Sequence, residues 1–345
     1  MNNSSLPNVD QGSCWLFSST FFTTLLVVVS LAAFVGNILV VIVVFKTPIL
    51  RTSTNFYYVN MAVSDFLGAL FTWPVYLTHE LITSKGSLLH GTLASAGCKT
   101  GAYIRLLSYL VSILSMVLIA VERYIAIVHP LKVILLTRKK RAALIFAAWL
   151  IPITYSVPHI FYFEVEEVDQ IAFCRFSWNP LAIMIFYATT FLVFFVVPLT
   201  SITVHYTVIV RALKKAIPSD DANQNSFQKK RYMHSQNIMR LHKSIVTVFV
   251  GCYLLYTVFL IMKATVPKLF LKDECKWMLG IFYFMLPLLS STVNPFILFL
   301  FSTNFRQALQ TLCPFSCPKF CIKVRRGTVR SYRVSFSPKE ATGTT

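Results

Sequence analysis

The sequence predicts an all-α membrane protein, a bundle of seven transmembrane helices, and three observations predict it. Of its 345 residues, 56% are hydrophobic and 13% charged, where a soluble domain carries roughly 45–50% and about 25%. Seven apolar stretches reach the length of about 20 residues that crosses a hydrocarbon core about 30 Å thick. The basic residues crowd into alternate loops. An excess of 32 Lys and Arg over 13 Asp and Glu, a net charge of +19, would also suit nucleic acid. That reading fails because the charge alternates loop by loop, and 30 Phe and 15 Tyr in an apolar chain point to lipid. Eight scattered cysteines do not make a disulfide-stapled domain. With no repeat and no low-complexity tract, one integral membrane domain remains.

In order, the spans are Phe21–Phe45, Phe56–His79, Thr100–Val121, Ala142–Phe163, Phe176–Val210, Ser244–Met262 and Trp277–Phe305. Only the second and third carry a charge, Asp65 and Arg105. All are too long for buried core helices, and a membrane β-barrel would alternate over segments of about ten residues. The loops after spans one, three and five, with the C-terminal tail, hold 24 of the 32 basic residues. They include Arg138-Lys139-Lys140-Arg141, Lys229-Lys230-Arg231 and Arg325-Arg326. Eight of the 13 acids, among them Glu164, Glu166, Glu167 and Asp169, fall on the other side. Basic loops stay cytoplasmic, so the N-terminus is expected outside and the C-terminus inside. The first span lacks a basic n-region and is too long for a cleaved signal peptide, so it is expected to be its own insertion signal. Asn2 and Asn3 open two overlapping glycosylation sequons on the outer side.

Single polar residues inside the spans say more, because each is costly in lipid and needs a partner or a task. Arg105, Tyr109, Ser112, Met116 and Arg123 recur at offsets 0, 4, 7, 11 and 18, and so share one face of the third helix. Eighteen residues rise about 27 Å, so this stripe runs from an outer cation to an inner one. Packing against a neighbouring helix accounts well for Ser112. It accounts poorly for two arginines at opposite ends.

Further residues fall in a telling order. Span one has Gly36-Asn37-Ile38-Leu39-Val40 and span two Asn60-Met61-Ala62-Val63-Ser64-Asp65. Span three opens at Cys98 and closes with Glu122-Arg123-Tyr124, followed by His129-Pro130-Leu131. Trp149 and Pro158, then Pro198 and Tyr206, then Asn294-Pro295 mark spans four, five and seven. This ordered set, over roughly residues 20–313, resembles the rhodopsin-like (class A) G-protein-coupled receptors, with a peptide-receptor character. The resemblance implies an extracellular tail over 1–19, a seven-helix receptor domain over 20–302, a short amphipathic eighth helix over 303–313 and a cytoplasmic tail over 314–345.

It also implies roles. Cys98 and Cys174 would form an extracellular disulfide in an oxidising compartment, and Cys14 and Cys275 leave a second pairing open. Arg123 would be a switch, paired at rest with the neighbouring Glu122 and released when the sixth helix swings out; Tyr124, Tyr206, Asn294 and Pro295 belong to the same machinery. A snorkelling interfacial arginine is the plainer alternative. His234-Ser235-Gln236 supplies no acid at the base of the sixth helix, so high basal signalling is expected. Leu131 would dock apolarly on the G protein. Asp65, with Asn37, Ser112, Ser291 and Asn294, would surround water and a sodium ion; a hydrogen-bonded structural acid without sodium is the alternative. Cys313, Cys317 and Cys321 suit palmitoylation, and the two prolines between them with no nearby histidine argue against zinc. Ser331, Ser335 and Ser337 are candidate phosphorylation sites for arrestin recruitment.

Three departures stand out. The sixth helix reads Cys252-Tyr253-Leu254-Leu255 where the family usually has Cys-Trp-x-Pro, so the aromatic toggle is a tyrosine and the kinking proline is missing. The seventh reads Asn294-Pro295-Phe296-Ile297-Leu298, with leucine in place of the usual tyrosine. Weakened coupling, or a non-signalling decoy, is the alternative these raise.

Arg105 stands where amine receptors place an aspartate, which disfavours monoamines, and Leu288 stands where photoreceptors need a lysine, which excludes an opsin. The inward aromatics Tyr109, Tyr253, Tyr256, Phe259, Phe282 and Phe284, with Arg105 and Lys263, outline a cationic, aromatic ligand cavity. Beneath an acidic outer loop this fits a peptide, with an acidic lipid or small anion as runner-up. The expected protein is a multi-pass plasma-membrane receptor that activates a heterotrimeric G protein and meets anionic lipid with its basic loops. No nucleic-acid partner is expected, and no resident cofactor beyond the sodium ion. No nucleophile–base set or phosphate-cradling Gly-rich loop suggests an enzyme. A transporter or channel subunit would show repeats or broken half-helices.

Overall fold

The computed structural model describes residues 19–77, 91–168, 171–215, 226–265 and 279–312. Seven long helices dominate them: α1 (Ser19–Lys46), α2 (Ser53–Leu77), α3 (Gly91–Val128), α4 (Arg138–Tyr155), α5 (Pro180–Lys215), α6 (Ser226–Thr265) and α7. The last opens on a π-helical turn, Leu279–Met285, and continues as Leu286–Phe301. A ten-residue helix α8 (Thr303–Leu312) follows, anchored by buried Phe305 and Ala308. Six of these helices are long and apolar enough to cross a membrane. The helix left out of that six is α2, whose Asn60, Ser64, Asp65 and Thr72 are buried in the protein instead of facing lipid. A helix that spends its polarity inward needs no such apolarity overall.

The ends of the apolar stretches need correcting. Phe176 does not begin the fifth span; it ends the second strand of a hairpin, β1 (Phe163–Val168) antiparallel to β2 (Ile171–Phe176). Hydropathy cannot separate an apolar strand from an apolar helix, but a cap can. Asn179 Oδ1 accepts from the Leu181 amide at 2.9 Å with Pro180 in the first turn, and there α5 starts. The fourth stretch likewise breaks at Ser156 and resumes as a helical turn, Pro158–Tyr162, because a proline there has no N–H to continue the ladder. α6 runs the other way: it extends far beyond its apolar part, starting at Ser226.

Prolines and side-chain donors are matched across helices. Pro198 leaves the carbonyl of Phe194 without its helical donor, and Tyr109 of α3 hydrogen-bonds that oxygen at 3.4 Å, beside a π-helical turn at Leu192–Val196. Pro295 does the same to Ser291 in α7, and Asn37 Nδ2 of α1 donates to that carbonyl at 3.1 Å. Two glycines set the closest approach. A methyl group on Gly68 would meet Ser108 Oγ at 2.5 Å, and one on Gly101 would collide with Val75 and lie 2.8 Å from the Phe71 carbonyl. α2 and α3 thus lie nearly backbone to backbone. Asn60 ties both to α4: its amide donates to Ser115 Oγ at 2.8 Å and its oxygen accepts from Trp149 Nε1 at 2.6 Å.

Candidate functional site

At one end of the bundle Cys98 of α3 is disulfide-bonded to Cys174 of β2, which lays the hairpin across the helix ends. Beneath it is a cavity of about 30 Å³, room for a water or two, lined in part by Arg105, Tyr109, His159, Tyr187, Tyr256 and Tyr283. The Arg105 guanidinium lies 3.9 Å from the centre of the Tyr283 ring and 5.5 Å from that of Phe284, a cation–π arrangement. Its buried Nη1 has no hydrogen-bond partner among the described residues. His159, on the turn after Pro158, is wedged among Phe163, Phe176 and Phe186 at ring distances of 5.0, 5.2 and 5.4 Å, and its Nδ1 is unpartnered in the same sense.

Of the residues expected around the ligand, Arg105, Tyr109 and Tyr256 line this cavity, and Phe284 lies beside Arg105. Tyr253 and Phe259 do not line it. Tyr253 packs against Tyr109 at 4.4 Å and Phe249 at 4.5 Å, and Phe259 stacks on Phe282 at 5.5 Å. Lys263 is in the last turns of α6, with its side chain outside the described residues. His159, Tyr187 and Tyr283 escaped the sequence reading. Spacing on the third, sixth and seventh helices has no access to a residue placed by a proline break or by the hairpin's partner helix.

Midway along the bundle Asp65 is a hydrogen-bond hub. Its Oδ1 accepts from Ser112 at 2.7 Å and Ser291 at 3.3 Å, and its Oδ2 from Asn294 Nδ2 at 2.8 Å. Ser64 adds a bond to Ser112 at 2.9 Å. Asn37, expected at this carboxylate, instead spends its amide on the carbonyls of Ala33 and Ser291, because Pro295 leaves the latter needing a donor. The oxygens of Asp65, Ser112, Ser291 and Asn294 fit a hard cation: the buried Asn294 Oδ1 has no partner among the described residues.

At the far end the expected Glu122–Arg123 pair is not formed. Glu122 pairs with Arg141 of α4, Oε1 to Nη2 at 3.4 Å, and accepts from Thr54 of α2 at 3.5 Å. Neighbours on a helix point about 100° apart, so a partner on an adjacent helix reaches the carboxylate more readily than Arg123 does. Arg123 makes no ion pair among the described residues, and its Nε is buried and unpartnered there. It lies within electrostatic reach of Tyr58, Tyr206 and His242. Tyr206 and His242 stack at 5.0 Å, and the hydroxyls of Tyr58 and Tyr206 and both ring nitrogens of His242 also lack partners among the described residues.

Arg123 and Tyr58 line a cavity of about 360 Å³, together with Glu122, Arg141, Leu298 and Phe305, among others. Tyr124 hydrogen-bonds His129 Nε2 at 3.2 Å. Leu131, in the turn Pro130–Leu135, is 85% exposed, an apolar side chain projecting from the protein. Arg141 was legible only as one of a basic run, and His242 bore no signal at all. Asn2, Asn3, Cys14, Cys275, Cys313, Cys317, Cys321, Ser331, Ser335 and Ser337 lie outside the described residues.

Comparison with known proteins agrees with this arrangement. The chain is 28% identical over 298 residues to a QRFP-like peptide receptor of Branchiostoma floridae, covering 83% of this chain and 75% of that one. It is 27% identical over 293 residues to somatostatin receptor type 4 of Rattus norvegicus, covering 84% and 71%. Against the thyrotropin-releasing hormone receptor of Bos taurus it is 28% identical over 305 residues, covering 81% and 74%. The family model for the seven-transmembrane receptors of the rhodopsin family matches residues 36–298. That stretch holds the Asp65 hub, the Cys98–Cys174 bond and both arginines of α3, and the chain belongs to this family of multi-pass membrane proteins.

Proposed function

We propose that this protein is a peptide receptor at the plasma membrane that activates a heterotrimeric G protein. One observation carries the reading: a single packed helix, α3, holds two arginines 18 residues apart, neither ion-paired among the described residues. One faces an aromatic cavity and the other an open one. The relatives named above are receptors for peptides or peptide hormones, and the acids Glu164, Glu166, Glu167 and Asp169 suit a peptide's basic groups. The disulfide end faces outward. Arg105, Tyr109, Tyr253, Tyr256, Phe259, Lys263 and Phe284 form the ligand region, with direct contact centred on Arg105.

Agonist and G protein both bind the state whose Arg123 end is open, so each favours the other by shifting one equilibrium. Glu122, Arg123, Tyr124, Tyr206, Asn294 and Pro295 carry the change, and Leu131 docks on the G protein. Asp65, Ser112, Ser291 and Asn294 would hold a sodium ion, whose charge would offset that of the carboxylate and favour the closed state. The basic loops meet anionic lipid, the tail serine residues recruit arrestin, Cys313, Cys317 and Cys321 carry palmitate, and Asn2 or Asn3 carries glycan.

The test is G-protein activation by the expressed receptor across a peptide library, with Arg123→Ala as control. A response abolished by Arg123→Ala supports the reading. Specific peptide binding at the cell surface with no coupling overturns the G-protein half of it and makes the protein a decoy. Neutralising Glu164, Glu166, Glu167 and Asp169 weakens a peptide but leaves an acidic lipid untouched.

A further inference from the structure

The cavity under the hairpin holds a charge without a counter-charge on its walls. Arg105 is its cation, and no acid stands among the described residues that line it. The rings of Tyr283 and Phe284 take up the guanidinium's face, with Tyr256 and Tyr283 close enough to hydrogen-bond its edge, yet Nη1 remains buried and unpartnered among the described residues. The imidazole of His159, which lines the same cavity, is 5% exposed and clamped among three phenylalanine rings, and its Nδ1 is unpartnered among the described residues as well. A buried donor left unmade is expensive, more so when charged. A charged donor and an imidazole nitrogen on one small cavity suit a compact acceptor with negative charge, with room for about two oxygen atoms and no more.

We propose that Arg105 and His159 together form a carboxylate-binding subsite, in which Arg105 Nη1 donates to one carboxylate oxygen and His159 Nδ1, as its N–H tautomer, to the other. This rests on the peptide reading only for where the carboxylate comes from, a peptide's C-terminus or an acidic side chain. Planar guanidinium geometry suits a carboxylate in particular. The three rings around His159 fix its plane, so the second donor is held in place before the ligand arrives. An amide in the same position would turn its NH₂ toward one of two donors and lose that bond.

The probes for the subsite itself are formate and acetate, each beside its amide, added to the purified full-length receptor in detergent. The readout is the thermal unfolding midpoint. Carboxylates are expected to raise the midpoint with concentration and amides to leave it unmoved. Arg105→Gln abolishes the rise, and His159→Phe, which preserves the aromatic packing, shifts the half-effective concentration about tenfold upward. His159→Asn restores part of the shift by returning a donor. Equal stabilisation by amides, no response to any carboxylate, or an unchanged dose in His159→Phe overturns the subsite.

A second arm presents the peptide library as matched free acids and C-terminal amides, with Glu/Gln pairs inside the chain, and reads G-protein activation. Active peptides that lose about tenfold to a hundredfold in potency with one carboxylate removed name its source. Active peptides indifferent to every such change leave the peptide reading standing and overturn the subsite. Carboxylate stabilisation with no active peptide does the reverse.

Discussion

The middle of the bundle and its Arg123 end treat buried polarity in opposite ways. Around Asp65 every oxygen of the carboxylate is used, and the surrounding serine and asparagine side chains converge on it from α2, α3 and α7. Around Arg123 the hydroxyls of Tyr58 and Tyr206, the ring nitrogens of His242 and Nε of the arginine all lack partners among the described residues. Tyr58, Tyr206 and His242 are as buried as the residues around Asp65, so for them the difference is not exposure. A satisfied network holds one arrangement, because any displacement breaks several bonds at once. A cluster without partners in the protein has no such set of bonds to break, and its groups are left to meet a rearranged helix or an arriving partner. Asp65 with Ser112 and Ser291 therefore reads as the fixed frame and the Arg123 end as the part that moves, with Asn294, whose Oδ1 is unpartnered among the described residues, joining the two.

The strongest way to break this comparison is to unmake the frame. Asp65→Ala leaves three buried donors without their acceptor, at about 1–3 kcal/mol each. It is expected to lower the thermal unfolding midpoint more than substitution of His242, Arg141 or Gly251 does, with Asp65→Asn recovering most of the loss. A midpoint unchanged in Asp65→Ala would show that the hub holds nothing.

The next effect has the opposite sign. His242→Leu replaces an unpartnered ring, 0% exposed, by an apolar side chain. It is expected to raise stability by about 1–2 kcal/mol while lowering the response to agonist. A fall in the midpoint instead would mean that stacking on Tyr206 and contact with the Met116 backbone outweigh the poorly satisfied ring nitrogens.

Arg141→Ala sharpens the contrast at the boundary of the mobile end. The Glu122–Arg141 pair is partly exposed, so its loss costs no more than about 1 kcal/mol. Its expected consequence is functional: Glu122 turns to Arg123, and ligand-independent G-protein activation falls a few-fold. Basal activity that rises in this variant would place Arg141 on the restraining side of the switch.

The smallest expected effect concerns α6, which lacks the kinking proline. Gly251 is exposed, and a Cβ there meets nothing within 4 Å. Gly251→Ala should therefore stabilise the helix by somewhat under about 1 kcal/mol and lower agonist efficacy slightly, if this glycine supplies the give that proline would. Equal efficacy in glycine and alanine forms would move the hinge elsewhere.

Much of the architecture was legible from single residues. Asp65 declared itself by being a lone acid in an apolar span, Arg105 and Arg123 by sharing a face of α3, and Asn294-Pro295 by order and spacing. The ends of elements were harder. Phe176 belongs to a strand and Pro180 to a helix, a boundary set by the Asn179 cap and invisible to hydropathy.

What the sequence determined by itself is whatever depends on local pattern and on water: where the chain is apolar long enough to span, which residues share a helix face, and which side of the membrane the charge favours. Pairing was decided only by the tertiary structure. Helical periodicity says which way Glu122 and Asn37 point, and nothing about what arrives from the next helix or where a break such as the one before His159 sends the chain. Arg141 took Glu122 from Arg123, the carbonyl freed by Pro295 took Asn37 from Asp65, and a break after α4 brought His159 onto the cavity that Arg105 lines. Each outcome is a competition among donors and acceptors from separate elements, settled by distances of an ångström or less that exist only once the helices have packed.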